Sequence, residues 1–349
     1  MPDMINRTKG IAAGIVLLGL VLLMVACSGT TNKNNVAENN NTGQNNQAEG
    51  QREAGQNDEG AKPSPFPRTI KTATGDVTIE EEPKKVAVVH WGYTDSILLF
   101  NLKSVALALP FTEKRSVLST ESYKPYVDKL DELVIVGENT EVNLEALLAY
   151  EPDLIIAGNS INKEITGELS RIAKTVVIDE AETDVWGDWP SAVTKFGEIL
   201  GQEDVAESYI SEFRNNVLAA KEKLADLEGT VAFVQVREKA VWLQGTDYLK
   251  QYYDGLGLKA PAADAMKEGA QISLEGLSAL NPDHLFLGYF NYSDKSLPAL
   301  TDEWDDSAVW SKLKAVQNKH VYPINGELAL GYGPIGNSYG VQAILEALE

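Results

Sequence analysis

Two arginines in this acidic chain are placed to meet an anionic ligand. Arg115 follows an apolar run typical of a buried strand, and Arg237 closes a second such run. Guanidinium groups bind carboxylates through two parallel hydrogen bonds, and they supply a local positive field where acidic residues dominate. We predict that Arg115 and Arg237 contact the ligand. Surface ion pairs with the neighbouring Glu113 and Glu238 are the alternative interpretation.

Aromatic rings collect beside the same predicted strand ends. They are His90, Trp91, Tyr93, Tyr289 and Tyr332. Rings with polar edges form walls that suit a bulky, partly apolar ligand. Direct metal binding is not predicted, because metal ions need a cluster of side-chain ligands and the chain has only 3 histidines. The five residues are therefore predicted to contact a ligand, with His90 at the cleft but not as a metal ligand.

Two glutamates occupy the same place in an internal repeat. The segment VNLEALLAYEPDLIIAG, 142–158, matches ISLEGLSALNPDHLFLG, 272–288, at seven of 17 positions without a gap. Glu145 and Glu275 each come two residues after a good N-cap, Asn or Ser, in the first turn of a predicted helix. An acid there complements the helix dipole by about 0.3–1 kcal/mol. The repeat predicts two domains of similar architecture.

Alternating strands and helices must position these residues. A hairpin is predicted around Thr74-Gly75-Asp76, where β-branched and polar residues alternate. Eight apolar runs predict strands, at 85–90, 104–110, 152–158, 175–180, 230–237, 240–245, 282–288 and 319–325. Helices are predicted between them, for example at 94–100 and 143–150. This order predicts mostly parallel sheets with helices on both faces, which is an α/β fold.

One long helix separates the two sets of strands. Its apolar positions recur at helical spacing, with Asp204 as the predicted N-cap and Gly229 as the stop. Roughly 23 residues would span about 35 Å. We predict an N-terminal lobe at 68–189, a crossover and interdomain helix at 190–228, and a C-terminal lobe at 229–349. Ligands bind at the carboxyl ends of such strands, so the predicted site is the cleft between the lobes.

The N-terminus predicts export and anchoring. A 17-residue apolar run after two basic residues ends in LMVAC, which resembles a bacterial lipobox. We predict a lipoprotein signal peptide at 1–26 and lipidation of Cys27. The alternative, a membrane-spanning anchor, needs roughly 20 apolar residues. The Asn- and Gln-rich stretch at 27–67 holds little apolar surface to bury, which predicts a disordered tether between the lipid and the folded body.

Composition and motifs exclude several function classes. Acidic residues outnumber basic ones by 51 to 30, a formal charge of −21, which argues against nucleic acid as a partner. The stretch GNSYG, 336–340, matches the G-x-S-x-G pattern of a hydrolase nucleophile. No histidine follows it, so we interpret it as the start of the last helix. An extracellular enzyme remains the competing class, although no nucleophile–base pair supports it.

The order of these segments resembles that of the substrate-binding lipoproteins of iron–siderophore ABC importers, which are class III periplasmic binding proteins. EPKKVAVVHWGYTDSILLFNL, VGENTEVNLEALLAYEPDLIIAG and ISLEGLSALNPDHLFLG carry the resemblance. The stretch TEKRSVLSTESYKPYVDKL looks most like the ferric-citrate branch. The class also contains cobalamin and haem binders, which stay open as alternative ligands of the same fold.

The resemblance implies a fold, a function and partners. The fold would be two Rossmann-like lobes joined by one α-helix, with the ligand between them. A monomer would capture a ferric siderophore of the ferric citrate or hydroxamate type without catalysing a reaction. Iron would enter only as part of the chelate, with no resident cofactor. Glu145 and Glu275 are implied to dock onto the two permease subunits of the importer.

Overall fold

Two sheets with parallel strands form the frame of the protein in the computed structural model, which describes residues 64–349. A six-stranded sheet has the order β6-β5-β4-β3-β7-β8, and a five-stranded sheet has the order β11-β10-β9-β12-β13. The strands are β1 Arg68–Thr72, β2 Gly75–Ile79, β3 Lys85–Val88, β4 Ser104–Ala108, β5 Glu132–Glu138, β6 Glu141–Val142, β7 Leu154–Gly158, β8 Lys174–Ile178, β9 Val231–Val236, β10 Val241–Gln244, β11 Gly269–Gln271, β12 His284–Tyr289 and β13 Val321–Asn325.

Helices connect the strands and cover the sheets. The α-helices are α1 Thr94–Leu98, α2 Lys124–Val127, α3 Leu144–Tyr150, α4 Thr166–Ile172, α5 Trp189–Leu200, α6 Glu203–Lys223, α7 Lys250–Tyr253, α8 Ala265–Glu268, α9 Leu274–Leu280, α10 Lys314–Gln317, α11 Gly326–Ala329 and α12 Pro334–Leu348. In the first sheet only β6 is antiparallel to its neighbour, and in the second β10 and β11 are. The predicted α/β fold class is confirmed.

The structure contains every predicted strand and adds three that the sequence did not indicate. The predicted hairpin is β1 paired with β2, and its turn lies between Thr72 and Gly75. The eight strands that were predicted with bounds are each one or two residues shorter than predicted. Strand β5 was missed because its short apolar run lies between acidic residues and is only half buried. Strands β6 and β11 are too short to show a period of two.

The long helix α6 begins two residues earlier than predicted and ends earlier than predicted. Gln202, not Asp204, is its N-cap residue, and no side chain caps the helix there. The helix ends at Lys223, six residues before Gly229, which does have positive φ but lies in the following loop. Its 21 residues span about 32 Å.

Helix α6 is packed into both lobes. Ala206 and Ile210, near its start, belong to the core of the N-terminal lobe. Ala220, near its end, and Leu224, just beyond it, belong to the core of the C-terminal lobe. Phe213, between these pairs, packs against both cores. Since apolar burial of this kind stabilises by about 25 cal/mol per Å², the helix is a structural member of each lobe and not a loose linker.

The repeated segments form the same helix start in each lobe. The Asn143 side chain accepts hydrogen bonds from the backbone N–H groups of Glu145 and Ala146, at 3.1 and 3.0 Å. The Ser273 hydroxyl accepts one from the N–H of Gly276, at 3.2 Å. These bonds satisfy N–H groups that have no partner within the helix. The predicted N-caps are therefore present in α3 and α9.

The Pro-Asp pair of each repeat fixes the neighbouring strand. The Asp153 carboxylate accepts hydrogen bonds from the N–H groups of Lys84 and Lys85, both at 2.9 Å. The Asp283 carboxylate accepts them from the N–H and the hydroxyl of Thr230, at 2.8 and 2.9 Å. These contacts hold β3 beside β7 and β9 beside β12. The repeat thus specifies one structural unit, used once in each lobe.

The N-terminal predictions lie largely outside the described residues. The signal peptide, Cys27 and nearly all of the tether precede residue 64, so the anchor stays a prediction. At the other side of that limit, Phe66 is already buried in the core of the N-terminal lobe, two residues before the predicted start of the lobe at Arg68. Within residues 64–349, no helix combines the length and the apolar composition that crossing a membrane requires.

Candidate functional site

A cleft of about 440 Å³ lies between the two lobes. The N-terminal lobe contributes the segments that follow β3 and β4, and the C-terminal lobe contributes the end of β9 and the segments that follow β12 and β13. These are the carboxyl ends of parallel strands, where α/β proteins bind their ligands. Apolar surface dominates the wall, as is usual in small-molecule sites.

The two predicted arginines line this cleft from opposite lobes. Arg115 and Arg237 both line it. The Arg237 Nε–H donates to the Gln235 side chain at 3.0 Å, and its guanidinium lies 4.3 Å from the ring centre of Phe290. Within residues 64–349, neither guanidinium group comes within 4 Å of a carboxylate.

The alternative interpretation, ion pairs with sequence neighbours, is not what the structure shows. Glu238 lies 3.6 Å from Lys239 instead of Arg237, and Glu113 has no ion pair with Arg115 in the described part of the chain. Arg115 and Arg237 therefore keep donor groups available for a ligand. Their role in binding stays a prediction that this geometry favours.

Glu327 is a cleft residue that the sequence analysis missed. It lies on α11, directly after β13, and lines the cleft together with both arginines. Burial raises the pKa of its carboxyl group, and the charges of Arg115 and Arg237 oppose that rise. The signal was an asparagine at the end of a predicted strand, since Asn325 caps α11 by accepting the Glu327 N–H at 3.1 Å.

Three aromatic rings from both lobes meet at one end of the cleft. The Trp91 ring centre lies 4.7 Å from that of Trp186 and 5.8 Å from that of Tyr332, and Trp186 lies 4.4 Å from Tyr332. Trp91 and Tyr332 were predicted, whereas Trp186 was not. Trp186 belongs to a loop after β8 and does not itself line the cleft, but it packs against Trp91 and Tyr332, which do. Trp186 is 37% exposed, so a ligand could stack on it.

His90 and Tyr93 do not line the cleft, although the sequence placed them there. Both side chains are fully buried and stack on each other at 4.0 Å. The His90 Nδ1 accepts the N–H of Gly92 at 3.0 Å, so its Nε2–H donates to the Glu180 carboxylate at 2.5 Å. Burial lowers the pKa of His90, although Glu180 opposes this change. His90 and Tyr93 thus belong to the same short turn as Trp91, but their side chains are buried in the lobe.

Tyr289 also lies off the cleft wall. Its hydroxyl accepts a hydrogen bond from Thr301 at 3.1 Å, and the Lys295 ammonium lies 4.3 Å from its ring centre. The next residue, Phe290, lines the cleft instead. Successive side chains of a strand point to opposite faces, so the difference of one residue decides which ring reaches the ligand.

A half-buried carboxylate joins the lobes at the base of the cleft. Asp95, on α1, accepts hydrogen bonds from the Tyr123 hydroxyl and from the Gly336 N–H at the start of α12, the latter at 3.3 Å. The N-cap position of α12 is Gly333, which has no side chain to cap the helix. A carboxylate of the N-terminal lobe thus takes the capping role for a helix of the C-terminal lobe.

Asp95 should make stability depend on pH. Burial raises the pKa of its carboxyl to about 6, although the bonds from Tyr123 and from the backbone of α12 act against the rise. Because this folded-state pKa lies above the ordinary value of 3.8, ionisation destabilises the fold as the pH rises from about 4 to about 6. Above about pH 6, Asp95 no longer changes the free energy of unfolding as the pH rises.

We expect the neutral variant Asp95→Asn to show this directly. The free energy of unfolding of Asp95→Asn, minus that of the wild type, should grow by roughly 2 kcal/mol between about pH 4.5 and about pH 7.5. Urea unfolding at the two pH values measures it, and all other carboxylates cancel in the difference. A difference that does not change with pH would contradict the raised pKa.

The two predicted docking residues are exposed at equivalent places. Glu145 lies in the first turn of α3, and Glu275 lies in the first turn of α9. Residues 141–147 and 271–277 have the same sequence of exposed, half-buried and buried positions. Neither carboxylate has an ion-pair partner within residues 64–349. Both are accessible to a partner protein, and their docking role stays a prediction.

Two α/β lobes joined by a long helix, with a ligand cleft between them, define a bilobal substrate-binding protein. The sequence profile of the periplasmic binding proteins matches residues 86–328. The chain belongs to this family, which consists of binding proteins and not of enzymes. The family resemblance predicted from the sequence is thereby confirmed.

The chain is similar to several named iron-binding proteins of this kind. The chain is 27% identical to the iron(3+)-hydroxamate-binding protein YxeB of Bacillus subtilis, over 96% of each chain. It is 26% identical to the Fe(3+)-citrate-binding protein YfmC of the same organism, over 90% of this chain and 89% of that one. The structure of Staphylococcus aureus SirA complexed with staphyloferrin B matches with a TM-score of 0.59 and 26% identity, covering 80% of this chain and 96% of that chain.

Proposed function

We propose that this protein captures a ferric siderophore of the ferric citrate or hydroxamate type and delivers it to the permease of an ABC importer. One observation carries the proposal: two arginines from opposite lobes line an aromatic cleft without a carboxylate partner. Negative oxygen atoms on a ferric chelate would supply the missing acceptors. Relatives named for binding iron(3+)-hydroxamate and Fe(3+)-citrate support the same ligand class.

The proposal includes a location and partners. Lipidated Cys27 would hold the protein at the outer face of the membrane, and the tether would let the lobes reach the permease. Glu145 and Glu275 would contact the two permease subunits. Iron would be present only within the chelate, and no resident cofactor or direct metal ligand is proposed. A relative named as a probable siderophore-binding lipoprotein supports the anchor.

Cobalamin or haem is the second candidate ligand. The fold and the proposed docking residues would serve either of them equally well. What favours a ferric chelate is the pair of arginines, because a neutral corrinoid offers them no matching charge. His90, the histidine that a haem iron would need, is fully buried and bonded to Glu180, which disfavours haem.

Tryptophan fluorescence tests the proposal, because Trp91 lines the cleft and Trp186 packs against Trp91. The purified mature protein would be titrated with ferric citrate, a ferric trihydroxamate, a ferric catecholate, haem and cobalamin. We expect saturable, sub-micromolar quenching by one ferric chelate and none by its iron-free form. A response to haem or cobalamin alone would keep the fold and overturn the proposed ligand.

A further inference from the structure

Glu327 is an unusual residue for a cleft that is proposed to bind an anionic chelate. It is half buried, and it lines the same cavity as Arg115 and Arg237. Within residues 64–349, its carboxylate has no ion pair within 4 Å. The backbone N–H of Glu327 donates a hydrogen bond to the Asn325 side chain, but this bond does not involve the carboxylate oxygens.

The backbone holds Glu327 firmly in this position. Gly326, which precedes it, packs against the backbone of Gly288, and a Cβ on Gly326 would collide with the Gly288 carbonyl oxygen. The Asn325 side chain also accepts the Leu328 N–H at 3.3 Å. These contacts fix the backbone of the first turn of α11, and with it the point on the cleft wall from which the Glu327 side chain extends.

The charge of Glu327 therefore acts on whatever occupies the cleft. Its carboxylate offsets one of the two guanidinium charges, so the three groups together carry a single positive charge. Asp95, the other carboxylate on the wall, is hydrogen-bonded to Tyr123 and Gly336 and adds a second negative charge when it is ionised, so the four charged wall residues then carry no net charge. In a partly desolvated cleft, one unit charge changes binding strongly, since Coulomb interactions there are several times stronger than in water.

An unbonded carboxylate also requires a donor. A buried or half-buried acceptor without a partner loses hydration when a ligand covers it, and this loss weakens binding unless the ligand donates a hydrogen bond. A chelate with free carboxylates would face Glu327 with like charge. A chelate that is close to neutral and carries N–H or O–H groups on its outer surface would satisfy it.

We propose that Glu327 sets the net charge of the chelate that the cleft accepts, and that it selects near-neutral ferric hydroxamates with outer N–H donors over ferric polycarboxylates. This inference rests on the proposed function and narrows its ligand class. Arg115 and Arg237 contact the negative oxygen atoms around the iron, and Glu327 accepts a hydrogen bond from the organic frame of the chelate.

The test compares two probes on three proteins. Ferric citrate and the ferric complex of a neutral cyclic trihydroxamate peptide are titrated against the wild type, Glu327→Gln and the control Glu303→Gln. Glu303 is an exposed acid of the same lobe that does not line the cleft. We expect the wild type to prefer the trihydroxamate. Glu327→Gln should bind ferric citrate at least about tenfold more tightly, which is 1.4 kcal/mol, and the control should match the wild type.

Each other outcome has a definite meaning. If Glu327→Gln binds ferric citrate no more tightly than the wild type does, or if the wild type prefers ferric citrate, the charge selection is overturned while the proposed function survives. If no ferric chelate binds either protein, the proposed function fails and the inference with it. Glu327→Asp keeps the charge and should retain the preference, so a preference lost in both variants would indicate structural damage and refute the selection by charge.

Discussion

Replacing Arg237 by glutamine should weaken the binding of the ferric chelate by about a hundredfold, which corresponds to roughly 2.7 kcal/mol. Charge-assisted hydrogen bonds contribute more than neutral ones, about 1.5–3 kcal/mol each. Glutamine keeps part of the side-chain length but has neither the charge nor the fork of donors. Isothermal titration calorimetry with the chelate identified by fluorescence measures the change. Arg115→Gln should act in the same direction.

Arg214→Gln is the matched control for this experiment. Arg214 lies on α6, is exposed and does not line the cleft, so the variant loses the same charge without touching the site. Its affinity should equal that of the wild type. Equal affinities of Arg237→Gln and Arg214→Gln would show that Arg237 does not bind the chelate.

Reversing both docking charges should abolish transport while binding persists. In the double variant Glu145→Lys, Glu275→Lys, uptake of the radiolabelled ferric chelate by cells should fall at least about tenfold. A permease surface that binds two glutamates would repel two lysines, and like charges that face each other across an interface cost several kcal/mol. Affinity of the purified variant should stay within about twofold of the wild type, since both residues lie on exposed helix starts outside the cleft wall.

Two exposed acids elsewhere provide the control for the docking experiment. Glu168 lies in the first turn of α4 and Glu303 in a short turn of the C-terminal lobe, and both are exposed. Their double lysine variant has the same net charge as the docking variant. It should transport normally. Equal loss of uptake in both double variants would show that the loss comes from the changed net charge or from a smaller amount of protein at the cell surface. The docking role would then have to be abandoned.

Local sequence was sufficient for the parts of this fold that depend on neighbouring residues. The N-caps at Asn143 and Ser273 and the strand that follows each Pro-Asp pair are set within about fifteen residues of chain, so the repeat identified them. Arg115 and Arg237 were placed correctly for a similar reason. Each follows a strand whose carboxyl end must open into the cleft.

The remaining site residues depend on information that a single sequence does not carry. His90 and Trp91 are adjacent, yet one is fully buried and the other lines the cleft. Tyr289 and Phe290 differ in the same way. Periodicity marks which residues share a face, but at a strand end the backbone turns, and its direction depends on packing. Trp186 packs against Trp91 and Tyr332 from a loop, which only tertiary contacts position.

The way in which α6 joins the lobes has a consequence for how the protein unfolds. Phe213 packs against both cores, and the ends of the helix complete one core each. Neither lobe can lose its core without removing apolar partners from the helix on which the other depends. The two lobes therefore form one cooperative unit, and equilibrium denaturation follows a single transition instead of one for each lobe. A destabilising substitution in either lobe lowers the melting temperature of both.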